Sequence, residues 1–224
     1  MVLNTIVAEA FDRISAELEK LPKKEFHSGL QKILHGIVKK HKRIIFNGDG
    51  YTDNWLAEAK RRGLPNARST MEALKALTVP ANIALFEKYG VYNARELESR
   101  YGVGEENYHR KIHIEGEIAL EMACSMIFPA VADEFGKISR SLAAAKSAGL
   151  KSGVKALSAN AAEIGRLLDD LEKRIEALRK ALGGLHEEIL AAMDDLRKTV
   201  DALEKIVPDE SWPLPKYREM LFVY

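Results

Sequence analysis

Cysteine is nearly absent from this chain, because Cys124 is the only one among 224 residues. A single thiol excludes a framework of internal disulfides and is typical of a reducing compartment. The chain also lacks the roughly 18 consecutive apolar residues that a membrane span requires. Its first residues, MVLNTIVAEAFDR, lack the basic flank and the apolar core of a secretory signal. We therefore expect a cytoplasmic protein without a membrane partner.

An excess of charge of either sign is missing as well. The chain carries 34 Lys and Arg residues against 33 Asp and Glu residues, which argues against nucleic acid or an anionic membrane as the main partner. One basic run, KKHKR at 39–43, could contact phosphate. Such a run is more often a solvated helix end that the helix dipole favours. We therefore expect no nucleic-acid partner.

The glycine-containing segment IIFNGDGYTDNW, residues 44–55, completes no nucleotide or calcium motif. Tyr51 stands where a phosphate loop needs a lysine after its second glycine. Asp53 stands where the dinucleotide fingerprint needs a third small residue, and Asn54 stands where a calcium loop needs glycine. The segment instead predicts a turn, because Asn-Gly and Asp-Gly tolerate positive φ and Thr52 or Asp53 can cap the next helix.

A docking loop is the alternative interpretation of this segment. Glycines let the backbone approach a bound group closely, and alternating acidic residues can hold a hard cation. The segment would then contact a ligand or a neighbouring chain. The candidate docking residues are Asn47, Gly48, Asp49, Gly50, Tyr51 and Asp53.

Two histidines have the spacing of a helix-borne metal site. His109 and His113 are four residues apart and share a helix face, with Glu106 and Glu117 beside them. The motif of helical zinc proteases is absent, and these carboxylates fit a solvated surface equally well. We expect no metal and keep His109, His113 and Glu117 as the candidate ligands of a metal-binding protein. No nucleophile has an evident base nearby, so no catalytic residue is predicted.

Helical periodicity dominates the first half of the chain. Residues 2–20 carry an apolar stripe at spacings of three and four that predicts an amphipathic helix, formed by Val2, Leu3, Ile6, Val7, Ala10, Phe11, Ile14 and Leu18. A second helix is predicted over 26–38, and the run IIF allows at most one very short β segment near 43–46. Short helices follow. Capping boxes at Ser69 with Glu72 and at Asn93 with Glu96 begin two of them.

One very long helix is predicted from about Gly104 to about residue 148. Its most apolar part lies between Ile118 and Val131, where we expect burial on several sides. Pro129 removes a backbone donor, but the apolar pattern resumes at Phe135. The proline therefore predicts a kink and not the end of the helix.

A heptad seam follows the GLKSG break at 149–153. Its apolar residues alternate at four and three: Ile164, Leu168, Leu171, Ile175, Leu178, Leu182, Leu185 and Ile189. A second phase continues to Ile206 and predicts coiled-coil-like packing. Gly183 and Gly184 would cost about 2 kcal/mol inside a helix, which favours a turn between antiparallel helices. The unbroken heptad phase leaves one continuous helix open.

The predicted fold is therefore mainly α. We expect a helical bundle in which a long kinked helix pairs with a coiled-coil-like helical hairpin. Two regions are predicted. Residues 1–103 hold the first amphipathic helix and an irregular helical part with the FNGDGY loop, and residues 104–224 hold the long helices and a WPLP tail.

Four long blocks with unusual residues resemble the C-terminal part of type III glutamine synthetases. They are VLNTIVAEAFDRISAELE at 2–19, KHKRIIFNGDGYTDNWLAEAKRRGLPN at 40–66, NIALFEKYGV at 82–91 and WPLPKYREMLF at 212–222. The resemblance spans essentially the whole chain. It implies a cytoplasmic enzyme of nitrogen metabolism that joins ammonia to glutamate with ATP and a divalent metal, Mg²⁺ or Mn²⁺, assembled as stacked hexameric rings.

The same resemblance implies that this chain is only the tail of that enzyme, expressed as a fragment from Met1. The family's metal ligands, ATP contacts and catalytic residues lie upstream of VLNTIVAE, so no site residue carries over and the fragment alone is expected to be inactive. ATP and the metal are expected in the full-length enzyme and not here. The implied partners are the upstream catalytic domain and the neighbouring subunits of a ring-shaped homo-oligomer, with a role in assembly or structural support. An independent helical protein–protein interaction module is the alternative function.

Overall fold

The computed structural model describes residues 1–221, and all regular structure within them is helical, with no β-strand. The predicted mainly α fold is confirmed. Segment 43–46 forms no strand, because Lys42–Ile44 is a 3₁₀ turn. The α-helices in chain order are α1 Val2–Leu18, α2 Phe26–His41, α3 Asp53–Arg61, α4 Thr70–Leu74, α5 Pro80–Lys88, α6 Ala94–Met122, α7 Phe128–Ser147, α8 Val154–Ala181, α9 His186–Glu204 and α10 Tyr217–Leu221.

The chain forms two compact units. The first unit is Met1–Tyr108 and the second begins at His109, so the division lies inside α6. The predicted regions 1–103 and 104–224 remain a prediction, and residues 222–224 of the second region lie outside the described residues. Within residues 1–221, no helix is both long enough and apolar enough to cross a membrane.

The first unit has a small core. Among its described residues only Phe86 and Leu97 are large apolar side chains that are buried. Helix α1 contacts α2 and α5. Gly29 of α2 leaves room for the side chain of Leu21 from the turn before this helix, since a Cβ there would lie 2.6 Å from Leu21 Cδ2. A unit of this length normally buries many more apolar side chains. Much of its apolar surface is therefore left exposed.

Helix α6 begins at the predicted capping box. The Asn93 side chain accepts a hydrogen bond from Glu96 N at 2.9 Å, and the Glu96 carboxylate accepts one from Asn93 N at 2.9 Å. The expectation that a long helix begins only near Gly104 is wrong, because α6 runs unbroken through this residue. Gly104 makes room for α4, since a Cβ there would lie 2.8 Å from Leu74 Cδ2.

The predicted passage of the helix through Pro129 is confirmed. Helix α6, a π-helical turn at Ala123–Ile127 and α7 join into one helix of 54 residues. The π turn widens the backbone just before the proline, and the Phe128 N–H donates to the Ala123 carbonyl. The Ser125 hydroxyl donates to the Glu121 carbonyl at 2.7 Å. The widened turn accommodates the missing proline donor without ending the helix.

Helices α8 and α9 form the predicted hairpin, so the favoured turn at Gly183 is confirmed and the continuous helix is wrong. Helix α7 packs on α8, and α8 packs on α9. Leu185 departs from the predicted seam, because it lies in the turn and is 64% exposed. His186, the first residue of α9, is buried next to it.

The core of the second unit lies among α6, α7, α8 and α9. Its buried apolar side chains are Ile112, Ala123, Ile127, Val131, Ile138, Ile164, Leu167, Leu171, Ile175, Leu178, Ile189, Leu196, Leu203, Val207 and Trp212. The expected burial of Ile118–Val131 on several sides is wrong, because Ile118 is 51% exposed and Met126 is also exposed. The long helix thus uses one face for the bundle and leaves apolar side chains on another.

Candidate functional site

The loop at 47–53 is an Asx turn that leads into α3. The Asp49 carboxylate accepts a hydrogen bond from Tyr51 N at 2.9 Å, and the Thr52 hydroxyl donates to the Asp49 carbonyl at 3.0 Å. Thr52 stands at the N-cap of α3, but its side chain makes no cap hydrogen bond. Tyr51 is fully exposed. The loop is therefore shaped by its own short-range bonds.

In this loop Gly48 is needed for space, and neither glycine is needed for positive φ. Gly48 and Gly50 both have negative φ, so the predicted use of positive φ is wrong. A Cβ on Gly48 would lie 2.5 Å from the Phe46 ring, while one on Gly50 would meet nothing within 4 Å. Gly48 thereby lets Phe46 fold back and stack on Trp55, with 4.3 Å between ring centroids.

Arg62 ties the end of α3 to the segment before the loop. Its Nη1 donates to the Ile45 carbonyl at 2.8 Å and to the Arg43 carbonyl at 3.1 Å. Its guanidinium lies 5.9 Å from the Phe46 ring centroid and 5.7 Å from that of Trp55. This role could not be predicted, since carbonyl contacts across 17 and 19 residues leave no pattern in the sequence.

Glu58 of α3, one turn before Arg62, binds both Arg61 and Arg62. Its carboxylate accepts hydrogen bonds from Arg61 at 2.6 and 2.7 Å and from Arg62 at 2.5 Å. The bonds from Arg61 and then Arg62 lower the pKa of Glu58 to about 2. The spacing of three and four residues on a helix is the signal from which this group could have been predicted.

A basic cleft of about 850 Å³ lies beside Arg61 and Arg62. Its basic side chains come from α2, the following 3₁₀ turn and the end of α3: His35, Lys39, Lys42, Arg43, Arg61 and Arg62. Asn47 of the candidate docking loop also lines the cleft, whereas Gly48, Asp49, Gly50, Tyr51 and Asp53 do not. No acidic side chain is among the lining residues. The KKHKR run is thus joined by a second basic run in space.

Helix α1 leaves much of its apolar stripe exposed, while Ala10, Ile14 and Leu18 of the stripe are half-buried. On the opposite face Thr5 is only 4% exposed, and Asp12, two turns along, is itself exposed and contacts α5. The Tyr89 hydroxyl at 2.8 Å and the Lys88 ammonium at 3.0 Å hold the pKa of Asp12 below its usual range. The stripe residues Val2, Leu3, Ile6, Val7 and Phe11 are all exposed, with Leu3 at 73% and Phe11 at 70%.

The candidate metal ligands His109 and His113 make different contacts. His109 makes an edge-to-face contact with His186, with ring centroids 4.3 Å apart. His113 Nδ1 lies 3.6 Å from a Glu117 carboxylate oxygen, one helical turn away. Among the described residues, no three His, Cys, Asp or Glu side chains are grouped to hold a metal ion. The contact of His109 with α9 explains why its ring lies at the bundle.

Comparison with known proteins shows the family to which the chain is similar. Residues 29–146 match the family model "Glutamine synthetase C-terminal domain". The whole chain is 32% identical to 33% of the "Type-3 glutamine synthetase" of Dictyostelium discoideum. It is 33% identical to the glutamine synthetase of Butyrivibrio fibrisolvens, over 93% of this chain and 32% of that protein. It is 28% identical to the glutamine synthetase of Bacteroides fragilis (strain YCH46), over 99% of this chain and 33% of that protein. The chain spans about a third of the length of these relatives.

Proposed function

Because the chain belongs to the family of glutamine synthetase C-terminal domains, we propose that it docks on the catalytic part of a type III enzyme and supports its assembly. The whole enzyme would be a cytoplasmic, ATP-dependent ligase that joins ammonia to glutamate. The docking contact is the apolar stripe of α1. This chain then contributes structure, while the chemistry is carried out by the rest of the protein.

The outward stripe of α1 is the observation that carries this proposal. An amphipathic helix of a self-sufficient unit turns its apolar side to the core, but α1 buries Thr5 and leaves apolar side chains such as Leu3 and Phe11 exposed. Apolar patches of this kind mark surfaces that another protein covers. Since the relatives are about three times as long as the chain, their remaining part is the natural occupant.

ATP and the divalent metal are assigned to that remaining part. The described residues do not fit the metal, because they form no group of three suitable ligands. We therefore expect no phosphate release that depends on both glutamate and ammonia from the chain alone, with Mg²⁺ or Mn²⁺ present. Turnover above background in a purified sample would refute this assignment.

The docking surface is tested by binding to the separately expressed catalytic part of the same enzyme. Phe11→Asp places a charge on the stripe, and Ala16→Asp places the same charge on an exposed position of α1 outside it. A buried Phe contributes about 1.5–3 kcal/mol. Phe11→Asp should therefore raise Kd at least about tenfold, and Ala16→Asp should change it less than about twofold.

Circular dichroism of both variants checks that the helices are retained, which is expected because both side chains are exposed. Equal affinity of Phe11→Asp and the parent would contradict docking through α1. So would self-association of the chain that Phe11→Asp abolishes, since the stripe would then be covered by a second copy.

Neighbouring subunits of a ring-shaped homo-oligomer are the second proposed partner. Ile114 and Ile118 lie one turn apart on α6 and are both exposed, so they offer a second apolar patch. In the full-length enzyme, Ile118→Asp should shift the sedimentation profile toward smaller species. An unchanged profile would remove this patch from the assembly contacts.

A further inference from the structure

The basic cleft between the end of α2 and the end of α3 is not used by the proposed docking through α1. Lys39 and Lys42 are three residues apart and come from one side of the α2 terminus, and Arg43 follows them in the 3₁₀ turn. Arg61 and Arg62 enter from α3. Residues that are distant in sequence therefore converge on one concavity, which a solvated helix end does not require.

The positive charge exceeds what its surroundings neutralise. Five Lys and Arg side chains line the cleft, and Glu58 neutralises one charge of the Arg61 and Arg62 pair. The two helix C-termini together carry about one negative charge, roughly half a charge each. About three positive charges remain. A single phosphate group carries about 1.5 to 2 negative charges, so one phosphate would leave part of this excess unneutralised, and a chain of two or three phosphates would neutralise all of it.

The shape of the cleft favours a small ligand over a protein surface. Its volume of about 850 Å³ lies in the range of small-molecule sites, about 300–1,000 Å³. Val38 and Ile45 line it beside the charges, and the Asn47 amide adds a neutral polar group. The contacts of Arg62 with the Arg43 and Ile45 carbonyls hold one wall in place before any ligand binds.

We propose that this cleft binds a small ligand with a chain of two or three phosphates, through Lys39, Lys42 and Arg43 from one wall and Arg61 from the other. Arg62 positions that wall. Val38 and Ile45 provide an apolar place for any group attached to the phosphates. The site is separate from the docking surface of α1, so the two proposals are tested independently.

Isothermal titration of the chain with inorganic triphosphate tests the site. The cleft variant combines Lys39→Gln with Lys42→Gln. Its matched control combines Lys32→Gln with Lys40→Gln, which removes the same amount of charge at α2 residues that line a different groove. We expect one saturable site whose Kd rises with salt, weakened at least about tenfold in the cleft variant and less than about twofold in the control.

Further arms identify the ligand. Inorganic phosphate should bind more weakly than triphosphate. ATP that binds as tightly as triphosphate would show that only the phosphate chain is held, and tighter ATP would show that the apolar wall holds the nucleoside. Equal weakening in both double variants would overturn the proposal, because net charge alone would explain it. Absence of saturable binding would overturn it too, as would preference for a glutamate-rich peptide.

Discussion

Replacing Gly116 by alanine is a sensitive test of how closely α6 approaches the α8–α9 hairpin. Gly116 is buried, and a Cβ placed on it would lie 2.8 Å from Ile189 Cγ2 and 2.9 Å from Leu182 Cδ2. Both distances are shorter than carbon atoms tolerate. Ile189 is itself almost fully buried and branched at Cβ, so it has little room to move.

The expected magnitude is a difference of two opposing effects. Glycine to alanine inside a helix gains about 0.5–1 kcal/mol, and an extra carbon forced into a packed site costs about 1–3 kcal/mol. We therefore expect Gly116→Ala to lower the free energy of unfolding by about 0.5–2 kcal/mol. Gly136→Ala is the matched control in α7, because its only near contact is the mobile end of Arg140 at 3.3 Å. It should raise stability by about 0.5–1 kcal/mol.

Urea unfolding measured by tryptophan fluorescence separates these outcomes. The chain has two tryptophans, one in each unit, so a Trp55→Phe background leaves Trp212, which is buried in the second unit, as the reporter. The midpoint should fall for Gly116→Ala and rise for Gly136→Ala at an unchanged slope. If both variants are stabilised alike, α6 does not lie against Ile189 and Leu182, and the bundle as described is wrong.

Three further predictions concern the Glu58 carboxylate, the relative stability contributions of Leu171 and Asp49, and the rates of amide hydrogen exchange in the helices. The Glu58 pKa is lowered to about 2, so the contribution of ionised Glu58 to folding stability should be present above about pH 4.5 and be lost as the pH falls toward 2. The Trp55 indole signal in NMR spectra should report this loss, and the pH dependence should be missing in Glu58→Gln. Leu171→Asp should cost more than about 3 kcal/mol because Leu171 is fully buried, whereas Asp49→Ala should cost about 1 kcal/mol or less; a reversed order in denaturant melts would invert the assignment of core and turn. Amide hydrogen exchange of the chain alone should be slowest in α8 and α9 and fast in α1. Slow exchange of α1 in the chain without any partner would show that its stripe is already covered.

The hairpin of the second unit could be predicted because one periodicity determines it. Leu171, Ile175 and Leu178 recur at heptad spacing and are all buried. The pattern was wrong at Leu185, because apolar residues can keep heptad spacing in the sequence across a turn, while the backbone leaves the helix after Ala181. His186 took the buried position, and no periodicity of apolar residues can indicate a buried histidine.

The limits of α6 could not be predicted because glycine has two uses. Gly102 and Gly104 suggested a boundary, yet α6 passes through both. Gly104 is small because Leu74 from α4 lies against it, and that neighbour is 30 residues away in sequence. The same ambiguity applies to Gly48, which was assigned to positive φ and instead makes room for the Phe46 ring.

The candidate site shows the same division between local and distant information. The Asx turn at Asp49 follows from residue type. The convergence of Lys39 and Arg61 on one cleft depends on how α2 and α3 are joined, and Arg62 fixes that joint through two backbone carbonyls. Charge runs in a sequence therefore predict helix ends well and concave basic sites poorly.

Helix α1 shows why the sequence pattern and the burial diverge most in the first unit. Periodicity predicts that a stripe such as Leu3 and Phe11 will be covered, but it does not say by what. Within its unit α1 gains little from the Asp12 pair with Lys88, since both side chains are exposed and solvent screens their attraction. A helix of 17 residues is marginal without tertiary contacts. If the proposed partner covers the exposed part of the stripe, its binding should stabilise α1, and partner binding and the folding of this helix would then be linked.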